Sequence, residues 1–219
     1  MRRYTRPVTF AAALGVVFSH CAGNAFAQII GLNGGLSLAS FGGDETEEFG
    51  STAGIRAGAT ATFPLSGNLS LRVGAAFAEK GGESAESNFD TALALDYIEV
   101  PVMLSLGIPV DGIISPRLAV GPAVGFMIGC ELSATSGGET FNPTCDDAEL
   151  TTKSVDFGAM ASAGVAIATS DKFFVTLDVA YNLGLSSVVE WTVTEEGDFD
   201  GLMNRAWSVL LGVEFPIGK

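Results

Sequence analysis

The sequence predicts an all-β fold: a transmembrane antiparallel up-and-down β-barrel of about eight strands, with short periplasmic turns at one rim and long acidic extracellular loops at the other. Three observations predict it. An export signal stands ahead of the folded part, period-2 alternation recurs where no long apolar helix does, and short and long connections alternate along the chain.

The signal comes first in the chain. Arg2, Arg3 and Arg6 precede the apolar run Phe10-Ala11-Ala12-Ala13-Leu14-Gly15-Val16-Val17-Phe18, and the small-x-small triplet Ala25-Phe26-Ala27 follows. That is the layout of a secretory signal peptide, so residues 1–27 are expected to be cleaved and residues 28–219 to form one barrel domain. A lipoprotein reading of Cys21 would need Gly or Ala before it, where His20 stands.

Processing changes the chemistry that remains. It removes three of the 11 basic residues and none of the 25 acidic ones, leaving a formal charge of −17. So acidic a chain has no clustered Lys and Arg for phosphate, which excludes nucleic acid as a partner and leaves no basic patch for an anionic lipid surface. The single histidine, His20, lies in the segment to be removed. Histidine-dependent triads and dyads are thereby excluded. Cys130 and Cys145 remain and flank a polar segment. An even pair in an exported chain reads as one disulfide that staples a long loop, against the alternative of two free buried thiols.

No window after residue 27 holds the roughly 18 to 20 apolar residues of a membrane helix, yet mean hydropathy is +0.39 and only 16% of residues are charged. What recurs is alternation. Ile55-Arg56-Ala57-Gly58-Ala59-Thr60-Ala61-Thr62-Phe63 is apolar at odd positions and Arg, Gly or Thr at even ones, and Leu69-Ser70-Leu71-Arg72-Val73-Gly74-Ala75-Ala76-Phe77 repeats the rule. Leu118–Phe126 and Phe157–Val165 follow it too. Such segments place strands near 29–41, 52–63, 69–80, 93–108, 114–130, 152–168, 173–187 and 204–215, an even number. Pro64–Asn68, Pro109–Gly112 and Ser170–Lys172 have the Gly, Pro, Asp and Asn content of tight turns. Between them lie long polar connections near 42–50, 81–91, 131–150 and 188–202.

Those four connections carry most of the acid: Asp44, Glu45, Glu47 and Glu48; Glu83, Glu86 and Asp90; Glu131, Glu139, Asp146, Asp147 and Glu149; and Glu190, Glu195, Glu196, Asp198 and Asp200. The plain reading is solvation by like charge. The sharper one is divalent-cation binding, for which Asp198-Phe199-Asp200-Gly201 resembles the start of a calcium loop but lacks the downstream Glu.

The strand faces decide which side meets lipid. A soluble ligand-carrying barrel would turn its apolar face inward, and the Gly, Ser, Ala and Thr face would then be a water surface almost without charge. Turned outward, the apolar face meets lipid and the small residues fill the narrow interior of about eight strands. Phe63, Phe173 and Phe215 then make one interfacial girdle, and Phe41, Phe77, Phe126, Tyr181 and Trp207 the other. Arg56, Arg72, Arg117, Glu99, Asp156, Asp178 and Glu214 fall on the inward parity. Charges there should pair, which predicts an interior ionic network in which Glu99 and Asp178 face the arginines. It reads as a structural plug, with a gated ion path as the alternative.

At Leu95-Asp96-Tyr97-Ile98-Glu99-Val100-Pro101-Val102-Met103-Leu104 the sequence resembles the PorT-type outer-membrane β-barrel family, with its Tyr-aliphatic-Glu-aliphatic-Pro strand. The hairpin layout of residues 28–219 is broadly similar to the OmpX and OmpA barrels as well. The resemblance implies an eight-stranded outer-membrane barrel and little about activity. Tyr97, Glu99 and Pro101 mark the motif, with Tyr97 and Glu99 expected to point inward. Leu93 and Leu95 lie off the lipid-facing parity of Ile98 to Leu104, so a bulge is expected near Asp96. Gly212, Phe215 and Ile217 resemble a terminal assembly signal, with Leu210 where a polar residue is usual and the chain running on to Lys219.

The leading functional expectation is a non-enzymatic barrel of the bacterial outer membrane, with an envelope-structural or surface-interaction role through its acidic loops. A narrow porin-like channel for ions or small solutes is the alternative. A lipid- or peptide-directed enzyme would have to work on acidic pairs such as Asp198 and Asp200. Expected partners are outer-membrane lipid, the barrel-assembly machinery and divalent cations at the loops; no cofactor is expected, and the barrel reads as a monomer because closure leaves no free edge.

Overall fold

Alternation becomes pairing in the computed structural model, which describes residues 28–42, 50–86, 89–136, 139–145, 151–170, 172–190 and 202–217. The elements in chain order are β1 (Gln28–Gly42), β2 (Gly50–Ser66), β3 (Leu69–Glu86), β4 (Phe89–Gly107), β5 (Ile114–Ser136), β6 (Glu139–Phe141), β7 (Thr151–Thr152), β8 (Val155–Ser170), β9 (Phe173–Ser187), β10 (Val189–Glu190) and β11 (Met203–Ile217). Eight of these are long staves, each antiparallel to its neighbours, in the order β1-β2-β3-β4-β5-β8-β9-β11. The last pairs with the first along its whole length, from Gln28↔Ile217 to Gly42↔Met203. The sheet is therefore a closed barrel with no edge among its staves.

One rim is made of tight connections. β2 and β3 meet across Gly67–Asn68, where Gly67 takes φ +56°, a left-handed backbone that a Cβ would strain. The opposite, loop end is extended beyond expectation. Residues 81–91 and 131–150 read as loops, but Gly81–Glu86 pair with Phe89–Ala94, and those with Glu131–Ser136. β6 then adds to the outer end of β5. The result is a sheet of β3, β4, β5 and β6 standing above the rim. Its sequence hides it because Glu83, Ser84, Thr91 and Ser133 set up no apolar alternation, and the pairing lies in the backbone ladder.

The two faces of the wall differ as their parity demands. Leu36 and Leu211 on the outer face are 69% and 62% exposed, whereas Tyr97 and Glu99 on the inner face are 0% and 1% exposed. An inverted polarity of this kind, apolar outside and charged inside, suits a solvent of hydrocarbon. Small side chains such as Ser37, Ala39, Ala76, Ala78, Ala180 and Ser208 line the interior and let the staves close tightly. Among the described residues no helix is long and apolar enough to cross a membrane.

One expectation needs correction. Phe41 does not join the outer aromatic girdle: it lies on the inward parity of β1 with Ser37 and Ala39 and is 4% exposed. The irregularity near Asp96 does exist, in the pairing of β4 with β5. There the register slips between Asp96↔Gly129 and Tyr97↔Met127, leaving Ile128 as the extra residue. It does not turn Leu95 outward; Leu95 stays on the face of Tyr97 and is fully buried. Of the remaining aromatics, Phe173 packs tilted against Phe215 at the turn end with ring centroids 5.4 Å apart, and Tyr181 against Trp207 nearer the loop end at 4.6 Å.

Candidate functional site

The interior of the barrel is where the chain has spent its buried charge. Three tiers cross it between the loop end and the turn end.

The outermost tier is apolar. Phe41, Leu95 and Tyr97 project from β1 and β4, and Val188 and Leu202 fold in from the connection between β9 and β11. Val188 donates its N–H to the Leu202 carbonyl at 2.8 Å, and the Lys153 N–H is given to the Val188 carbonyl at 3.0 Å. Those two bonds satisfy backbone groups that would otherwise be stranded in an apolar place. Leu93, Met127 and Cys130 pack around the cap.

Directly beneath lies the first ionic tier. Glu99 on β4 accepts from Arg56 of β2, from the Lys80 Nζ of β3 at 2.7 Å, and from the Asn182 Nδ2 of β9 at 2.9 Å. Lys80 also reaches Asp156 Oδ2 of β8 at 3.4 Å and sits 5.0 Å from the centre of the Tyr97 ring. Asp156 is further held by Asn204 Nδ2 at 2.9 Å and Ser186 Oγ at 2.9 Å. Asn204 donates to Tyr97 Oη at 3.2 Å as well, which joins cap and tier.

The second ionic tier lies toward the turn end. Arg117 of β5 grips Asp178 of β9 with two parallel bonds, Nε to Oδ1 at 3.0 Å and Nη2 to Oδ2 at 2.5 Å. This fork geometry is the strong form of a guanidinium–carboxylate pair. Arg117 and Arg72 both donate to Glu214 Oε1, at 2.6 Å and 2.5 Å. Arg72 Nη1 stands 3.8 Å from Asp178 Oδ1.

The two tiers contain Arg56, Lys80, Arg72 and Arg117 against Glu99, Asp156, Asp178 and Glu214, so the formal charges cancel. Cancellation inside a wall of low polarity is a physical requirement, because a lone buried ion costs several kcal/mol. Between the tiers is a void of about 50 Å³ bordered by Arg56, Arg72, Met103, Met160 and Asp178. That is room for a few waters. A vestibule of about 240 Å³ opens beyond the second tier at the turn end, lined by Thr62, Ser70, Ser105, Ser115, Arg117 and Glu214.

The charged positions assigned to the inner face by parity all project into these tiers, and Tyr97, Glu99 and Pro101 take successive inward places on β4, in the cap, in the first tier and beside the void. Pro101 lacks a donor and has no registered partner on β3, where pairing passes from Val73↔Val102 to Ala76↔Glu99. Lys80, Asn182 and Asn204 complete the first tier and were not anticipated from the sequence; Lys80 shares the even parity of Arg72, which is the signal that finds it. Cys130 and Cys145 form a disulfide that ties β5 to the chain returning from β6. Asp198 and Asp200 lie outside the described residues, as do Asp44, Glu45, Glu47 and Glu48 of the first long connection. Among the described residues no cluster of His, Cys, Asp and Glu is arranged to hold a metal ion.

Residues 26–190 match the family described as outer membrane protein beta-barrel domain. The chain is similar in structure to Neisserial surface protein A, at 13% identity and a TM-score of 0.49 over 87% of this chain and 97% of that one. It is likewise similar to the N-terminal β-barrel domain of Pseudomonas aeruginosa OprF, at 12% identity and a TM-score of 0.45 over 88% and 98%. Outer membrane protein W of E. coli aligns at 13% identity and a TM-score of 0.46 over 87% and 98%. No curated protein matches the sequence.

Proposed function

Because the chain belongs to the outer membrane protein beta-barrel domain family, we propose that it is a non-enzymatic, non-conducting barrel that serves the envelope by its structure or by interactions of the sheet and loops above its outer rim. In this reading residues 1–27 are the cleaved signal peptide, the tight turns face the periplasm and the long connections face outward. Lipid surrounds the wall, the barrel-assembly machinery inserts it, and the acidic loops are where divalent cations gather. It works as a monomer, since the staves leave no edge for a second copy.

The observation that carries the proposal is the three-tier closure of the lumen. A hydrated ion entering from outside meets an apolar cap, then two neutral layers of paired charge whose groups already satisfy one another. Displacing any one pair strands its partner, so each layer is a barrier and not a relay. The absence of any histidine after residue 27 argues against acid–base catalysis of the usual kind.

Planar-bilayer recording of the purified protein tests this. No reproducible conductance steps are expected in symmetrical salt. Discrete, repeatable steps would instead favour the narrow channel, with the vestibule as its inner mouth.

A further inference from the structure

The wall passes into the sheet above the rim along a line of irregular pairing. Between β2 and β3 the register slips from Arg56↔Ala78 to Ser51↔Gly82, and between β4 and β5 from Tyr97↔Met127 to Asp96↔Gly129. Each slip puts an extra residue into one strand and bends it, so the two together mark a hinge. The β3–β4 ladder runs unbroken between them, with Glu79 directly opposite Asp96. Both side chains lie across the hinge. Glu79 covers Gly54 of β2, its Cβ 2.7 Å from where a Cβ on that glycine would stand, and its Oε2 accepts the Ile55 N–H at 2.9 Å. Asp96 leans the other way over Gly129 of β5, its Oδ2 2.9 Å from the corresponding place. Glu131, two residues farther out on the face of Gly129, completes a row, and the three carboxyl groups border a groove of about 480 Å³.

No cation offsets the row. Among the described residues none of Glu79, Asp96 and Glu131 enters an ion pair. Lys80 borders the groove, but its Nζ is held on the inner side by Glu99 at 2.7 Å and Asp156 at 3.4 Å. Ser51 to Ile55 of β2 are uncharged, Arg56 beyond them is turned inward to Glu99, and the chain returning along β5 offers Thr144 and Cys145. Like charges directly opposite on neighbouring strands repel. Burial, then Glu79 and Glu131, accordingly raise the Asp96 carboxyl above its ordinary range. The seated sheet thus binds this proton more tightly than a loosened one would, so ionisation works against seating.

We propose that Asp96 is a pH-sensitive pin at this hinge: protonated, it seats the sheet of β3, β4, β5 and β6 on the wall, and ionised, it loosens that sheet while the barrel stays closed. The surface offered above the rim then follows the acidity of the medium. The device is independent of whether the lumen conducts.

Hydrogen–deuterium exchange of the full-length processed protein in phosphatidylcholine nanodiscs tests the pin. It is followed upward from the ordinary aspartate range, from about pH 4 to about pH 8, with rates corrected for intrinsic exchange at each pH. In the wild type, protection of residues 82–94 and 131–145 should fall several-fold across that range while residues 98–106 stay protected. Asp96→Asn should hold the acid-pH protection throughout. Glu79→Gln, whose amide oxygen can still accept from Ile55, should move the fall to lower pH by removing a like charge. A gel shift on boiling verifies that each variant is folded. No fall in the wild type, an equal fall in Asp96→Asn, or a midpoint that Glu79→Gln leaves in place would overturn the proposal, as would a matching loss of protection over residues 98–106.

Discussion

Glu99 accepts from Arg56, Lys80 and Asn182 while almost wholly removed from water, so its charge is fixed by partners and not by solvent. Glu99→Gln leaves two cations facing one neutral amide. The expected cost is about 3–5 kcal/mol, the range for breaking a buried pair from one side, read from the urea midpoint in detergent micelles. Adding Lys80→Met to that variant restores neutrality and should recover part of the loss. A cost indistinguishable from zero in Glu99→Gln would mean that water reaches the tier freely. Asp96 behaves differently. The outward parity of β3 and β4 is uncharged from Leu71 to Phe77 and from Ile98 to Leu106, so Glu79 and Asp96 mark where the lipid-facing belt ends. Burial, then the charges of Glu79 and Glu131, raise the Asp96 carboxyl above its ordinary range. The folded state thus holds this proton more tightly than the unfolded one. Its contribution to stability is full below the ordinary aspartate pKa near 4 and is lost as pH rises through the raised value. Asp96→Asn should flatten that stretch of the stability–pH curve, and an unchanged curve would exclude the group as its source. Parity made the inner face legible residue by residue. It did not reveal who pairs with whom, because partners such as Arg72 and Glu214 sit on strands that only the stagger of the closed barrel brings together. Lys80 was obscured for a simpler reason: it is the last residue of the strand expected over 69–80, where a charge reads as rim.

The same difference between local and assembled information governs the elements. Strands within the lipid belt are legible because hydrocarbon demands strict alternation, and the turns because Pro64, Gly67 and Asn68 carry turn chemistry. The sheet above the rim escapes detection, since Glu83, Ser84, Thr91 and Ser133 satisfy no apolar face. Backbone bonds, the Thr135–Thr140 hydroxyl pair at 3.0 Å and one covalent link hold it. Leu132 donates its N–H to Pro143 at 3.0 Å and Cys145 to Cys130 at 3.3 Å, and the disulfide locks that fold-back. Closing a loop of 15 residues in sequence separation restricts the open chain by about 3 kcal/mol in the loop-entropy account. Cys130→Ser with Cys145→Ser should therefore loosen the segment from β5 to β7 without opening the barrel. Limited proteolysis of intact cells should cut the double variant between residues 131 and 150 well before the parent, while the boiled and unboiled gel mobilities of the two stay alike. Equal cutting rates would assign the segment's order to backbone pairing alone.

At the scale of the whole molecule, closure is the property from which the others follow. An even count of staves and alternating connection lengths predict it from sequence, because both are repeated local signals; stagger, which sets the lumen's width and its pairings, is a global quantity that no local signal carries. Once closed, every stave has a hydrogen-bonded neighbour on both sides, so there is no terminal strand from which the sheet can fray. The lumen adds contacts between staves that are not neighbours: Arg117 of β5 with Glu214 of β11, Arg56 of β2 with Glu99 of β4, and Asn204 of β11 with Asp156 of β8. Unfolding must then break ladder and cross-braces together, which raises the barrier to opening more than either would alone. The protein extracted from outer membranes should accordingly resist SDS at room temperature and run faster unboiled than boiled. Its temperature of conversion should fall in Glu99→Gln and fall further when Arg117→Gln is added, since the two tiers lie at separate depths and share no partner. An unshifted band, with the protein recovered from the periplasm in soluble form, would return the chain to the class of soluble ligand-carrying barrels. A shift that neither substitution moves would place the resistance in the ladder alone and leave the ionic tiers to blocking the lumen.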